Sequence, residues 1–257
     1  MPFMHPISPR QEVILSCVVE THIETAAPVG SCLLRERYHM DYSPATLRNE
    51  MGNLEDLGYL AQPHTSSGRV PTDQGYRYYV DTCPALASDP SGLEAVDAGV
   101  LGLSIETRET EPLLEEASRR LADFTREASF VVAPQAQRAP SRVRLYFQGS
   151  THILEKPEFQ DVSKVRNLFR LFEEKSRLAE WITAQQEPGR EVSVRIGMEN
   201  EPEAFHDCSV IFARYDSAEG GFGTLAIVGP KRMRYTQTIP LVSRMAALMS
   251  RILEDRI

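Results

Sequence analysis

Apolar positions in the first third of the chain recur at helical spacing three times over. Val13, Ile14, Cys17, Val18 and Thr21 share one face of a helix that starts at Ser8-Pro9, where Ser8 can accept from exposed amides and Pro9 takes the first helical position without losing a bond. After "AAPVG", a short helix over roughly Ser31 to Tyr38 offers Leu33 and Leu34 to a core. A third helix repeats the Ser-Pro start at Ser43-Pro44 and sets Leu47, Met51, Leu54 and Leu57 on one stripe, with Gly58 as a left-handed stop. The period then changes. Tyr59 to Gln62 and Arg69 to Val70 can pair as two short strands around a loop of turn residues, and Thr72 caps a final helical turn in "TDQGYRYYVD". Three helices followed by a two-stranded ribbon is the order of a winged helix-turn-helix domain, assigned to residues 1–82.

Residues 83–104 are rich in Pro, Ala, Ser and Gly and read as a linker with at most one weak helical turn. Residues 105–257 open with a helix near Glu109 to Ala128, carrying Leu113, Leu114, Ala117, Leu121, Phe124 and Ala128 on one side. "SFVVAP" and "RVRLYFQG" are strand-like, and "VSKVRNLFRLFEEKSRLAEWI" reads as one amphipathic helix with Val165, Leu168, Phe169, Phe172 and Trp181. Three more strands come next, "EVSVRIGME", "DCSVIFARYD" and "FGTLAIVGP", the last two joined by the hairpin "SAEGG". Pro240 is expected to start the last helix, buried through Leu241, Val242, Met245, Leu248, Met249 and Ile252. The fold class expected from this order is α+β.

Composition removes several functions. No run of 18 or more apolar residues occurs, and the start "MPFMHPISPRQ" lacks the regions of a signal peptide, so no membrane span is expected and the cytoplasm is the expected compartment. Cys17, Cys32, Cys83 and Cys208 are scattered, without a CxxC pair, and read as small hydrophobes. His206 and Cys208 form an HxC pair, but no second pair accompanies it, so no metal or other cofactor is expected. The chain has no GxSxG, P-loop or HExxH and no Cys/His pair in a nucleophile context, so it does not read as an enzyme. Net charge is −8, and residues 1–82 hold six Arg and no Lys against ten Asp or Glu. Bulk charge therefore gives no nucleic-acid footprint, and any DNA contact must be local.

Such a local contact is available. In a major groove, Arg48 can give two hydrogen bonds to a guanine and Asn49 two to an adenine, while Ser43 and Thr46 can hold phosphate beside the helix amides. Asn53 completes the polar face of that helix. From the loop, His64, Thr65, Ser66, Gly68 and Arg69 can reach the backbone or the minor groove, the small residues permitting close approach. The alternative is a solvated helix face beside a plain surface turn. Aromatic and apolar residues of the second half could also line a ligand pocket, although they read equally as core.

The stretches "PVGSCLL", "SPATLRNEMGNLEDLGYLAQPHTSSGRVPTDQGYRYYVD", "LEKPEFQD" and "IGMENEPEAFHDCSVIFARYDSAEGGFGTLAIVGPKRMRY" together resemble the bacterial heat-inducible transcription repressor HrcA family. The resemblance spans most of residues 9–82, then about 107–134 and 145–253. It implies a winged helix followed by a GAF-like domain, and a homodimer binding double-stranded DNA at an inverted-repeat operator upstream of chaperone operons. It also implies the chaperonin GroEL as a partner that promotes the active form. Ser43, Thr46, Arg48 and Asn49 fall on the family's recognition helix, and His64, Thr65, Ser66, Gly68 and Arg69 on its wing. Pro44 stands where the family usually has a small polar residue. In the middle, "VVAP" runs through "QAQRAPSR" straight to "VRLYFQG", so the inserted dimerisation segment and part of the sheet are expected to be missing, leaving a truncated second domain. A ligand-gated regulator, or a degenerate relative acting as an interaction protein, is the alternative.

Overall fold

A computed structural model describes residues 6–65, 67–87, 110–134, 144–186, 190–218 and 221–254. The chain divides into two compact units, one of Met1–Ala87 with Lys231–Arg234, the other of Ser88–Pro230 with Tyr235–Ile257.

The first unit begins with α1 (Pro9–Thr25), capped by Ser8, which accepts from the Gln11 amide while the Gln11 side chain accepts from the Ser8 amide. Helices α2 (Ser31–Tyr38) and α3 (Pro44–Asp56) come next, and all three pack on one another. Ile14, Leu15, Val18, Val19, Leu34, Leu47 and Leu54 are wholly enclosed. Two expected core positions are not. Val13 is 57% and Leu33 41% exposed, because the buried arcs of α1 and α2 are centred on Val18 and Leu34, and their apolar neighbours stand off those arcs.

Gly58 adopts φ +82°, and the chain turns into β1 (Leu60–Ala61), which pairs antiparallel with β2 (Val70–Pro71) in the register Leu60 to Pro71. Thr72 joins this ribbon to the next helix: its hydroxyl lies 2.6 Å from the Gly58 carbonyl and accepts from the Gly75 amide at 3.1 Å. That helix, α4 (Asp73–Thr82), runs for ten residues rather than the single turn expected, since Tyr76, Tyr78 and Tyr79 bury one of its faces. A short α5 (Pro84–Ala87) opens the segment read as a linker, whose remainder lies outside the described residues. Lys231 holds Asp73 at 2.6 Å, Met233 is buried, and Arg232 donates to the Ile23 carbonyl in the last turn of α1.

In the second unit, α6 (Thr110–Thr125) leads into a five-stranded antiparallel sheet of order β4-β3-β7-β6-β5. Its strands are β3 (Ala128–Val132), β4 (Leu145–Gln148), β5 (Val192–Ile196), β6 (Cys208–Asp216) and β7 (Phe222–Pro230). Residues 145–148 of the strand-like stretch pair directly with β3, Val132 opposite Leu145, and form an edge of the sheet. Between β4 and β5 lie α7 (Ser150–Leu154), α8 (Val162–Glu173) and α9 (Lys175–Ala184). One face of the sheet, with Phe130, Val132, Val210, Phe212 and Val228, shares a core with Leu168, Phe172, Leu178 and Ile182 of α8 and α9. The alternate residues Val131, Ile211, Leu225 and Ile227 are equally buried, and α6 and the final helix α10 (Tyr235–Glu254) pack on the sheet as well. The architecture is α+β.

Two expectations change here. The single helix expected over 162–182 is two helices, broken at Glu174 with φ −77° and ψ 56°. Without the break, the stripe Leu168, Leu171, Phe172, Leu178 would carry Lys175 into the core at the same spacing. The last helix starts a turn and a half before Pro240, which lies inside it and gives up its own bond to the preceding turn. Burial of Tyr235 and Thr238, with the Tyr235 hydroxyl 2.6 Å from that of Ser209, holds that leading turn in place.

Candidate nucleic-acid interface

Helix α3 is 13 residues long and buries Leu47, Met51 and Leu54. At about 100° per residue, the direction opposite that stripe falls between Ala45 and Asn49. Asn49 is exposed there and Arg48 is exposed on the flank about 90° away, and neither has a partner among the described residues. Ser43 is the N-cap, its hydroxyl oxygen accepting from the Thr46 amide at 3.0 Å and lying 2.9 Å from the Thr46 hydroxyl. The two hydroxyls expected to hold phosphate therefore already fix the start of the helix. Asn53 is exposed and donates to Glu50 at 3.4 Å.

Gly52 lies on this helix with an ordinary φ, and a Cβ built there meets nothing within 4 Å. Gly52→Ala is therefore expected to stabilise the first unit by about 0.5–1 kcal/mol, read from its denaturant midpoint. A lower midpoint would mean that the open space is not open.

The ribbon is built differently from its sequence reading. Val29, between α1 and α2, exchanges both backbone hydrogen bonds with Arg69 at 2.8 and 2.9 Å, which extends the ribbon by one bridge. Gly68 sits at that crossing, and a Cβ on it would stand 2.3 Å from the Val29 carbonyl oxygen, so its small size serves a contact inside the unit. The Arg69 side chain is only 15% exposed, with its Nε 2.8 Å from a Glu55 carboxylate oxygen, close in distance but not aligned as a hydrogen bond. It is committed to the fold rather than extended into solvent.

His64 and Thr65 are exposed at the tip, while Ser66 lies outside the described residues. Gln62, which sequence reasoning gave no site role, and Ser67, which it read only as a small residue permitting close approach, shape this tip. Gln62 donates its amide to the Thr65 and Ser67 carbonyls, both at 3.0 Å, and the Ser67 hydroxyl donates to the His64 carbonyl at 2.7 Å. A Ser placed three residues after the first loop residue, within reach of its carbonyl, was the available signal for Ser67. Nothing local pointed to Gln62 or Val29.

Of the six arginines in residues 1–82, Arg10, Arg37, Arg69 and Arg77 hold Glu50, Glu24, Glu55 and Asp81. Arg35 on α2 and Arg48 on α3 have no such partner among the described residues. Among the described residues of this acidic stretch, the arginines without an acid partner thus lie on two adjacent helices. Behind them, burial pushes the Cys17 thiol up to about 11 and holds the phenols of Tyr78 and Tyr79 well above their ordinary range. Tyr78 donates to Glu12 at 2.7 Å, and its ring meets that of Tyr59 edge-on.

His206 lies in the turn before β6 rather than on the strand, and Cys208 is buried on it. Among the described residues, no group of three or more His, Cys, Asp or Glu is placed to hold a metal, and no helix is long and apolar enough to cross a membrane.

Residues 136–239 match the family model described as the HrcA protein C terminal domain. The chain is 31% identical to the heat-inducible transcription repressor HrcA of Shouchella clausii over 334 aligned positions, covering 93% of this chain and 96% of that protein. It is 26% identical to the protein of the same name from Chlorobium phaeobacteroides, covering 96% and 98%. Both alignments are longer than the 257 residues present, so they open gaps in this chain. A crystal structure described only as that of a hypothetical protein superposes with a TM-score of 0.79 at 20% identity, covering 98% of this chain and all of that one, which is a likeness of fold. This chain belongs to the heat-inducible transcription repressor HrcA family, a family of transcription repressors and not of enzymes.

Proposed function

We propose that this protein represses transcription by binding, as a homodimer, an inverted-repeat operator upstream of chaperone operons. The first unit is read as a winged helix-turn-helix domain, with α3 in the major groove and the β1–β2 ribbon as its wing. Arg48 and Asn49 read bases, Ser43 and Thr46 lie beside the phosphates, Asn53 flanks them, and His64, Thr65, Ser66 and Gly68 bring the wing to the backbone. Arg69 acts there through the shape of the ribbon. The observation that carries this reading is the pair Arg48 and Asn49, exposed and without a partner among the described residues on a helix whose stripe of Leu47, Met51 and Leu54 is buried. A free arginine where four of the six arginines are paired with acids supports a local contact, since phosphate and base edges supply acceptors.

One short helix reads too few base pairs to select a site in a genome, which supports a two-fold dimer. Its contacts would come from the second unit, read as a shortened GAF-like domain, where Phe124 of α6 is a large apolar residue left exposed. The family also supports chaperonin GroEL as a partner that raises the active fraction. Gel shift with the full chain tests the central reading. Binding to a selected inverted repeat should exceed binding to a scrambled duplex by at least about 10³-fold at physiological salt. Equal affinity for both would refute it.

A ligand-gated regulator is the second reading, favoured by a cleft of about 820 Å³ in the second unit, lined among others by Arg214, Asp216, Phe222 and Ser250.

A further inference from the structure

Glu50 is an awkward residue for a helix that approaches DNA. It comes directly after Asn49 and lies on the same flank of α3 as Thr46 and Asn53, where a free carboxylate would face the phosphates and repel them. The carboxylate is not free. One oxygen lies 3.5 Å from a terminal nitrogen of Arg10, at the start of α1, and the other accepts from the Asn53 amide at 3.4 Å. The Arg10 guanidinium is in turn seated over the ring of Tyr42, 4.9 Å from its centre, one residue before the cap of α3. Tyr42, Arg10, Glu50 and Asn53 thus form one chain of contacts along a single flank. The Arg10 side chain is 49% exposed and that of Glu50 18%, so the positive end of the chain faces outward and the negative one is partly covered.

We propose that Arg10 is a positioning and charge-compensating residue for DNA recognition: it neutralises Glu50 on the reading helix and, through Glu50, fixes the amide of Asn53. This rests on the DNA-binding reading above. As a fold contact, an ion pair this exposed contributes little, so stability is not the reason for its presence. Its value lies in the field met by an approaching polyanion, where one uncompensated negative charge counts at close range.

The test uses the full chain and a duplex recovered by selection with the unaltered protein, with affinity followed by fluorescence anisotropy at several salt concentrations. Arg10→Gln is expected to weaken binding about tenfold while the thermal midpoint of the first unit moves by no more than about 2 °C. Glu50→Gln alone is expected to strengthen binding about two- to threefold. The double substitution restores the original charge balance, and its affinity and salt dependence are expected to return to within about threefold of the unaltered protein. If the double variant stays as weak as Arg10→Gln, Arg10 contacts the DNA itself and the compensation mechanism is wrong. An Arg10→Gln affinity equal to that of the unaltered protein overturns the proposal as well. Should Arg10→Gln fail to fold, Glu50→Gln still decides, because any weakening of binding by it contradicts a repulsive carboxylate. Absence of specific binding by the unaltered protein would instead refute the DNA-binding reading.

Discussion

Arg48→Ala and Asn49→Ala are each expected to cost about 1–3 kcal/mol of operator affinity, a loss of about 5- to 150-fold, and to relax base preference at one position of each half-site. Both side chains are exposed and without a partner among the described residues, so the thermal midpoint should stay within about 2 °C on truncation. Arg69→Ala should behave in the opposite way. Its guanidinium lies against Glu55 and its backbone bridges Val29, so the loss should appear in the stability of the ribbon and weaken binding evenly across sequences. Base-preference profiles from randomised duplexes, taken beside melting curves, separate the two outcomes. Profiles unchanged by both α3 substitutions would show that this face does not read bases.

The second large effect concerns the other unit. Phe172→Ala is expected to destabilise it by about 3–5 kcal/mol, measured by denaturant unfolding. The Phe172 ring lies 4.9 Å from that of Phe130, 5.0 Å from Phe147 and 5.5 Å from Phe169, so its removal empties the junction between α8 and strands β3 and β4. β4 is an edge strand held to the sheet on one side only, and it has the least backbone pairing with which to absorb the cavity. A cost under about 1 kcal/mol would mean that α8 collapses into the space.

Helix α3 was readable from sequence because every signal that defines it is local: the Ser43 cap, Pro44 at the first position, the stripe of Leu47, Met51 and Leu54, and a left-handed glycine after the end. The polar residues opposite the stripe came from the same period. The loop was readable as a turn but not as a structure, because its shape is set by Val29, which lies forty residues from Arg69, and by the side chain of Gln62. Gly68 shows the difference plainly. Its smallness suggested approach to a partner, whereas the crossing of two backbone segments inside the unit demands it. The pairing of Arg69 with Glu55 was hidden for the same reason, since a charge count along the chain does not reveal which charges are already spent on one another. In the second unit β3, β6 and β7 were legible through apolar runs buried on both faces, while the break at Glu174 follows from Leu168 and Leu178 sharing one core across it.

The bridge between Val29 and Arg69 bears on the entropy of recognition. A hairpin loop hanging from two-residue strands would sample many orientations, and a partner would have to select one, at a cost set by the freedom it removes. Here the loop side of the ribbon is tied through Arg69 to the connection between α1 and α2, and Thr72 ties its base to Gly58 and to the start of α4. The ribbon and α3 are consequently held at a fixed angle before any partner arrives. On the proposed DNA-binding reading, the side chains of Arg48, Asn49 and His64 would be ordered on contact while the backbone around them is already tied, so association should be fast, and affinity differences among related sites should show mainly in how long the complex lasts.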